Sequence, residues 1–348
     1  MAKDYGSTFQ RKQEHIELCL TDEVNFKNKT NGFERYDFEH YAITEVENDK
    51  IDFSTTFLKK EINYPFLISC MTGGTKDSEN INSMLAIVAN ELNIPMGLGS
   101  QRLEIENKDN HESYKVIRRK APSISLLGNL DASQIVMMSN FDQVQEVVDL
   151  IEADALVIHL NASQELFQHN GEPDFSGLLK KMGKLVRKVN IPISVKEVGA
   201  GISKKAAEKL LGIGIEGIDV AGAGDTSCSA IEILRSKEEE TDNYFWDWGW
   251  PTSYCIKEVF KLKKGHKFIL IGSGGINTPF DAAKAFALGA DVAASAKMIF
   301  QELNKNGESG VRNLIISWFE VIKKIMFLTG SYKIDELRNK IIFKEKLY

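Results

Sequence analysis
Seven consecutive residues, His159-Leu160-Asn161-Ala162-Ser163-Gln164-Glu165, carry five polar side chains at the end of an apolar run. In extended backbone His159 and Asn161 point to the same side, so an imidazole and an amide would face one ligand together. Glu165 suits a divalent cation, because Mg²⁺ takes one or two carboxylates together with substrate phosphates and several waters. A solvated loop is also polar, and that explanation competes for each of these residues taken singly. The six histidines show no paired spacing and the four cysteines are scattered, so no zinc site is expected.

Other candidates follow other apolar runs. In Gly99-Ser100-Gln101-Arg102 the guanidinium suits bidentate capture of phosphate oxygens, with a surface salt bridge as the alternative. Asn129, after Gly128, offers donor and acceptor to a heterocycle or serves only as a turn residue. Lys196 closes the run Ile193-Ser194-Val195, where burial demands an anion: Glu197 in a structural ion pair, or a cofactor with delocalised negative charge. Met71-Thr72-Gly73-Gly74-Thr75, Ala221-Gly222-Ala223-Gly224-Asp225-Thr226-Ser227, Gly272-Ser273-Gly274-Gly275-Ile276 and Ala294-Ser295-Ala296 are small-residue segments that let backbone amides approach a phosphate. The first of these, taken alone, reads more readily as an ordinary tight turn than as a ligand loop. Arg11, Lys12 and His15 fall within one helical turn and either concentrate charge for a diphosphate or form a solvated face. Cys70 and Cys228 have no neighbouring histidine and read as small buried side chains. Trp246, Trp248 and Trp250, inside a long loop over 238–254, suggest a lid, a subunit contact or packing on a rim.

The elements that must position these groups alternate. Eight apolar or β-branched runs, 66–70, 95–98, 123–127, 155–160, 193–196, 217–220, 268–271 and 291–294, are separated by segments of helical spacing such as 78–92, 175–189, 203–211 and 278–288. Thr278-Pro279 starts a helix and Gly289 ends one. Eight such units in roughly 250 residues predict a (β/α)₈ TIM barrel, whose chemistry sits at the C-terminal ends of the strands. Residues 1–63 precede the first strand as an N-terminal extension, expected to pack on the barrel or on a neighbouring subunit. Residues 64–348 form the barrel and its C-terminal helices.

Composition narrows the function classes. The 348 residues are 43% hydrophobic and 26% charged, which suits a globular core. A net charge of −6 without a polybasic tract argues against nucleic-acid binding. The polar start lacks a signal peptide, and the stretch 314–328 is broken by Glu320, Lys323 and Lys324. An amphipathic surface helix, no membrane span and a cytoplasmic location are therefore expected.

Taken together, Arg11-Lys12 with His15, Met71-Thr72-Gly73-Gly74, Gly97-Leu98-Gly99-Ser100-Gln101-Arg102, Gly128-Asn129, His159 with Asn161, Gln164 and Glu165, Lys196-Glu197, Thr226-Ser227 and Ser273-Gly274-Gly275-Ile276 resemble the FMN-dependent type 2 isopentenyl-diphosphate isomerases. The resemblance runs over nearly the whole chain. It implies a 1,3-allylic proton shift between isopentenyl and dimethylallyl diphosphate, with reduced FMN, Mg²⁺, and NADPH or NADH as reductant. It also implies a homo-oligomer, tetramer or octamer. By the same resemblance, Gln164, His159 and Asn161 are catalytic. Arg11, Lys12, Arg102 and Gln164 hold substrate, and Glu165 holds Mg²⁺. Around FMN stand Cys70, Met71, Thr72, Ser100, Asn129 and Lys196, with Thr226, Gly274, Gly275, Ala294 and Ser295 at its phosphate.

Asp225 stands where this family has glycine, and a carboxylate there repels a phosphate unless it turns away. Ala221, Cys228 and Ala294 are further departures. The competing functions are an FMN oxidoreductase of the hydroxy-acid oxidase or dihydroorotate dehydrogenase kind and a non-catalytic flavin-binding barrel. Hydroxy-acid oxidases typically carry His-Gly-Gly-Arg after the sixth strand, and the segment 221–225 has neither imidazole nor guanidinium.

Overall fold
The computed structural model describes residues 20–70, 76–102, 111–169, 171–236 and 240–344, together with 14, 17, 18 and 105. Eight strands alternate with helices: β1 (Phe66–Ile68), β2 (Met96–Gly97), β3 (Leu126–Asp131), β4 (Ala155–Leu160), β5 (Ile193–Glu197), β6 (Gly217–Asp219), β7 (Ile269–Gly272) and β8 (Val292–Ser295). They form one closed barrel. Every neighbouring pair is parallel, and β8 returns to β1 with Ala293 opposite Phe66. The chain thus has the (β/α)₈ architecture that its alternating pattern predicts.

The third strand departs most from the sequence reading. The apolar run 123–127 contains only its start, and the strand continues through Gly128, Asn129, Leu130 and Asp131, all buried. The next strand holds it there, since Asp131 is in register with His159 of β4. Asn129 therefore lies within the strand rather than after it.

Helix Pro279–Leu288 shows how local chemistry sets the crossovers. Thr278 Oγ1 accepts from the Asp281 amide at 3.1 Å, the Asp281 carboxylate accepts from the Thr278 amide at 3.0 Å, and Gly289 ends the helix at φ 117. The segment Lys297–Thr329 comprises two helices joined at Gly307. Its second part buries Ile315, Trp318, Phe319, Ile322, Ile325 and Met326 and exposes Ile316 and Leu328. No described helix is long and apolar enough to cross a membrane.

Residues 20–63 lie on the barrel of their own chain. The hairpin Thr55–Phe57 with Lys60–Ile62 pushes Phe57 and Ile62 among the interior side chains Leu67, Leu127, Val157 and Ile271, closing the N-terminal mouth. Burying each of those two side chains contributes roughly 1.5–3 kcal/mol. Tyr36–Phe38 pairs antiparallel with Ile341–Phe343, clasping the two ends of the chain. Residues 24–31 form a strap over the opposite mouth: Ser227 N donates to Val24 O at 2.8 Å, and Asn31 Nδ2 to Gly275 O at 2.6 Å. The stretch 240–254 is less irregular than its composition suggests, with a 3₁₀ segment at Glu240–Phe245 and a helix beginning at Thr252. Trp246 is buried and donates to Asn25 O at 2.9 Å, whereas Trp248 and Trp250 are exposed.

Candidate active site
At the C-terminal rim the end of β4 is held by its neighbours. His159 Nδ1 lies 2.8 Å from Asn129 Oδ1, and His159 Nε2 lies 2.8 Å from Asp131 Oδ1. The Asn129 amide is oriented by Nδ2 donating to Leu98 O at 2.9 Å, which turns Oδ1 toward the imidazole. Asp131 also accepts from Ser100 Oγ at 2.7 Å, with Arg102 Nη1 at 3.8 Å. Burial works to raise the Asp131 pKa, but the His159 charge, hydrogen bonds from His159 and Ser100, and Arg102 hold the carboxyl well below its ordinary 3.8.

The helix Ala162–Phe167 begins immediately after β4 and carries Glu165 in its first turn. Asn161 Nδ2 donates to Glu165 Oε1 at 2.8 Å and the Glu172 amide to Glu165 Oε2 at 2.8 Å. Asn161 is 2% and Glu165 3% exposed. Asn161 Oδ1 is buried with no hydrogen-bond partner, an unusual state for an amide oxygen and one that a ligand would relieve. One turn along, Gln164 Nε2 donates to Glu232 Oε1 at 3.3 Å. Glu232 is fully buried and accepts from Arg235 Nη1 at 2.6 Å, and Arg235 Nε in turn donates to Glu14 at 3.0 Å.

Lys196 corrects one expectation. Its Nζ donates to the backbone carbonyl of Glu197 at 2.8 Å, not to the Glu197 carboxylate. That carboxylate instead accepts from the amides of Val198, Gly199 and Gly201 at 2.6, 2.7 and 3.1 Å, where it shapes the loop after β5. Lys196 is in register with Asp219 of β6, whose carboxyl is bonded by Ser273 Oγ. Burial pushes the Asp219 pKa up, against the pull of Lys196 and Ser273. Burial also pushes the Cys70 thiol up to about 12, so Cys70 is a neutral side chain and not a nucleophile.

The phosphate-type loops gather at the ends of β6, β7 and β8. Gly274 (φ 99) and Gly275 (φ 66) adopt left-handed conformations, and a Cβ on Gly275 would come within 2.6 Å of the Gly224 carbonyl. Their own carbonyls are tied outward, Gly274 O to Thr252 Oγ1 and Gly275 O to Asn31 Nδ2, each at 2.6 Å. Thr226 Oγ1, beside them, is buried without a partner. Beyond Ala294 and Ser295 a helix starts at Lys297, and its first amides lack intrahelical acceptors. A buried unpaired hydroxyl, small residues and a helix start together fit a phosphate. Asp225 is turned to Lys297, whose Nζ lies 3.4 Å from Asp225 Oδ1 and 2.6 Å from Asn25 Oδ1.

Thus Ser100, Arg102, Asn129, His159, Asn161, Gln164, Glu165, Lys196, Thr226, Gly274, Gly275, Ala294 and Ser295 all stand in the C-terminal halves of strands or in the loops and helix starts that follow them. Arg11, Lys12, His15, Cys19, Met71 and Thr72 lie outside the described residues. The sequence reading missed the acids Asp131, Glu172, Asp219 and Glu232 as site residues. A period-2 signal existed for Asp131, two positions after Asn129 on the same strand face. Among the described residues no group of three or more histidine, cysteine or acidic side chains could hold a metal.

Residues 8–112 and 157–344 match the FMN-dependent dehydrogenase family. Proteins named isopentenyl-diphosphate delta-isomerase are similar over nearly their full length. That of Pelodictyon phaeoclathratiforme is 39% identical, with 96% of this chain and 97% of the relative covered. That of Pyrococcus abyssi is 40% identical, with 95% and 91% covered. In fold, the chain is similar to a flavocytochrome b2 mutant with benzoylformate, at TM-score 0.70 and 18% identity over 97% of this chain and 85% of the other. The monotopic membrane protein (S)-mandelate dehydrogenase gives TM-score 0.67 and 14% identity over 96% and 97%. At those identities the likeness concerns the barrel alone. This chain belongs to the FMN-dependent dehydrogenase family, on the branch whose members are isopentenyl-diphosphate delta-isomerases.

Proposed function
We propose that this enzyme interconverts isopentenyl diphosphate and dimethylallyl diphosphate by a 1,3-allylic proton shift, with no net redox change. The observation that carries this reading is the gathering of His159, Asn161, Gln164 and Glu165 beside Lys196 and Thr226 on one rim, in a chain 39% identical to a named isomerase over 96% of its length. Thr226, Gly274, Gly275, Ala294 and Ser295 would hold FMN at its phosphate, and Cys70, Met71, Thr72, Ser100, Asn129 and Lys196 would hold its ring and ribityl chain. When bound and reduced by NADPH or NADH, it supplies an electron-rich ring face and a nitrogen able to carry a proton.

An alkene is protonated at one end while a proton leaves the carbon on the other side, so charge builds up between them and must be shielded from water. Gln164 contributes orientation: its Nε2 is committed to Glu232, which leaves Oε1 as the end available to the site. An amide is a poor base by itself, so its role is positioning, supported by the buried acid behind it. Lys196 would supply a positive charge to balance the negative charge of reduced FMN. Arg102, with Arg11 and Lys12, holds the diphosphate, and Glu165 holds Mg²⁺ on it.

The test is to mix the reduced holoprotein with isopentenyl diphosphate and Mg²⁺ in deuterated water. Deuterium should enter dimethylallyl diphosphate. Unlabelled product, or no product, ends the proposal.

A further inference from the structure
Three donors from two segments, the loop after β2 and the end of β4, converge on one buried carboxylate. Ser100 Oγ lies 2.7 Å and His159 Nε2 2.8 Å from Asp131 Oδ1, while Arg102 Nη1 lies 3.8 Å from Oδ2. A hydroxyl, an imidazole and a guanidinium around one point make an oxyanion site. Here the anion belongs to the chain, at the tip of β3 and only 6% exposed.

The consequence for His159 is direct. With Nδ1 on Asn129 and Nε2 on Asp131, both ring nitrogens are committed within the protein. Arg102 is likewise shared, between Asp131 and Glu172 at 3.4 Å. Even so, both side chains keep 13% of their surface exposed, so solvent reaches the donors.

We propose that Asp131 is a built-in competitor for the substrate's diphosphate, standing at the Ser100–Arg102–His159 donor set where a phosphate oxygen would be bound. This rests on the reading that the substrate is a diphosphate. A phosphate oxygen that takes the His159 Nε2 hydrogen bond displaces the carboxylate oxygen, because a ring N–H serves one well-aligned acceptor. If it binds alongside, two anions sit together in partly buried surroundings and repel. Either way part of the donor set's affinity is spent against Asp131, which keeps binding loose and release fast. The exchange makes and breaks hydrogen bonds only.

The test is calorimetric titration of inorganic pyrophosphate with Mg²⁺ into the FMN-loaded enzyme, its Asp131→Asn variant and its Asp131→Ala variant. Asp131→Asn keeps the shape and an acceptor, so it reports even if the alanine variant does not fold. Pyrophosphate should bind about tenfold more tightly, or better, once the charge is gone. The KM for isopentenyl diphosphate should fall by a similar factor. Unchanged binding overturns the proposal, and so does weaker binding, which would assign Asp131 to holding the donors in place. The two readings separate cleanly. Turnover by the wild type without tighter binding in the variants sinks the competitor alone. Tighter binding without any turnover sinks the isomerase and leaves the competitor.

Discussion

Lys297 Nζ lies 3.4 Å from Asp225 Oδ1, where the helix after β8 begins. Burial raises the Asp225 pKa and Lys297 pulls it back down, so the lysine is what makes a carboxylate tolerable beside Thr226 and the glycine loop. Lys297→Ala should weaken FMN binding by about tenfold or more, since an uncompensated anion is left at the phosphate end. Adding Asp225→Gly to that variant should restore it. Quenching of flavin fluorescence on titration measures both, and a Lys297→Ala protein that binds FMN like the wild type would remove the phosphate from this loop.

Glu232, buried and shared between Gln164 and Arg235, should matter to turnover and not to flavin. Glu232→Gln is expected to lower kcat by about a hundredfold, the order found when a proton-handling or orienting group is lost, with FMN affinity unchanged. Glu232→Ala leaves Arg235 with Glu14 and should cost about 1–3 kcal/mol of stability in urea melts. A fully active Glu232→Gln enzyme would reduce this pair to a structural contact.

Glu165 is the sole carboxylate assigned to Mg²⁺. Glu165→Gln removes the charge and keeps one acceptor oxygen, enough for the Glu172 amide or for Asn161 Nδ2 but not for both. The Mg²⁺ concentration for half-maximal rate should rise by about tenfold or more. An identical metal requirement in the variant argues that the cation is held elsewhere.

Asp131 predicts an acid effect on stability. Its folded pKa is depressed below 3.8, so its contribution is present above that value and lost as pH falls through the folded one. Between about pH 5 and pH 2 the thermal midpoint of the wild type should therefore drop more steeply than that of Asp131→Asn. Parallel curves would mean that the pairing with His159 adds no stability.

The barrel was legible because its signals are local. Apolar runs of strand length alternate with helix-length segments, and Thr278-Pro279 and Gly289 mark one crossover by capping chemistry that acts within a few residues. The polar residues after each run could be read as a rim for the same reason, once eight parallel strands were counted. The limits of β3 were not legible, because Gly128 and Asn129 look like a turn and are kept extended by pairing with β4 and by Gln101 of the loop after β2.

By itself the sequence determined the eight-fold alternation, the residue types at each strand end and the glycine positions where backbone must come close. Tertiary structure alone decided which buried acid meets which donor. Asp131 faces His159 through the register of two strands, Glu232 reaches Gln164 across 68 residues, and Lys297 answers Asp225 from the start of the helix after β8. Periodicity and turn chemistry are set by neighbours along the chain, whereas the partner of a buried charge is set by how the barrel closes.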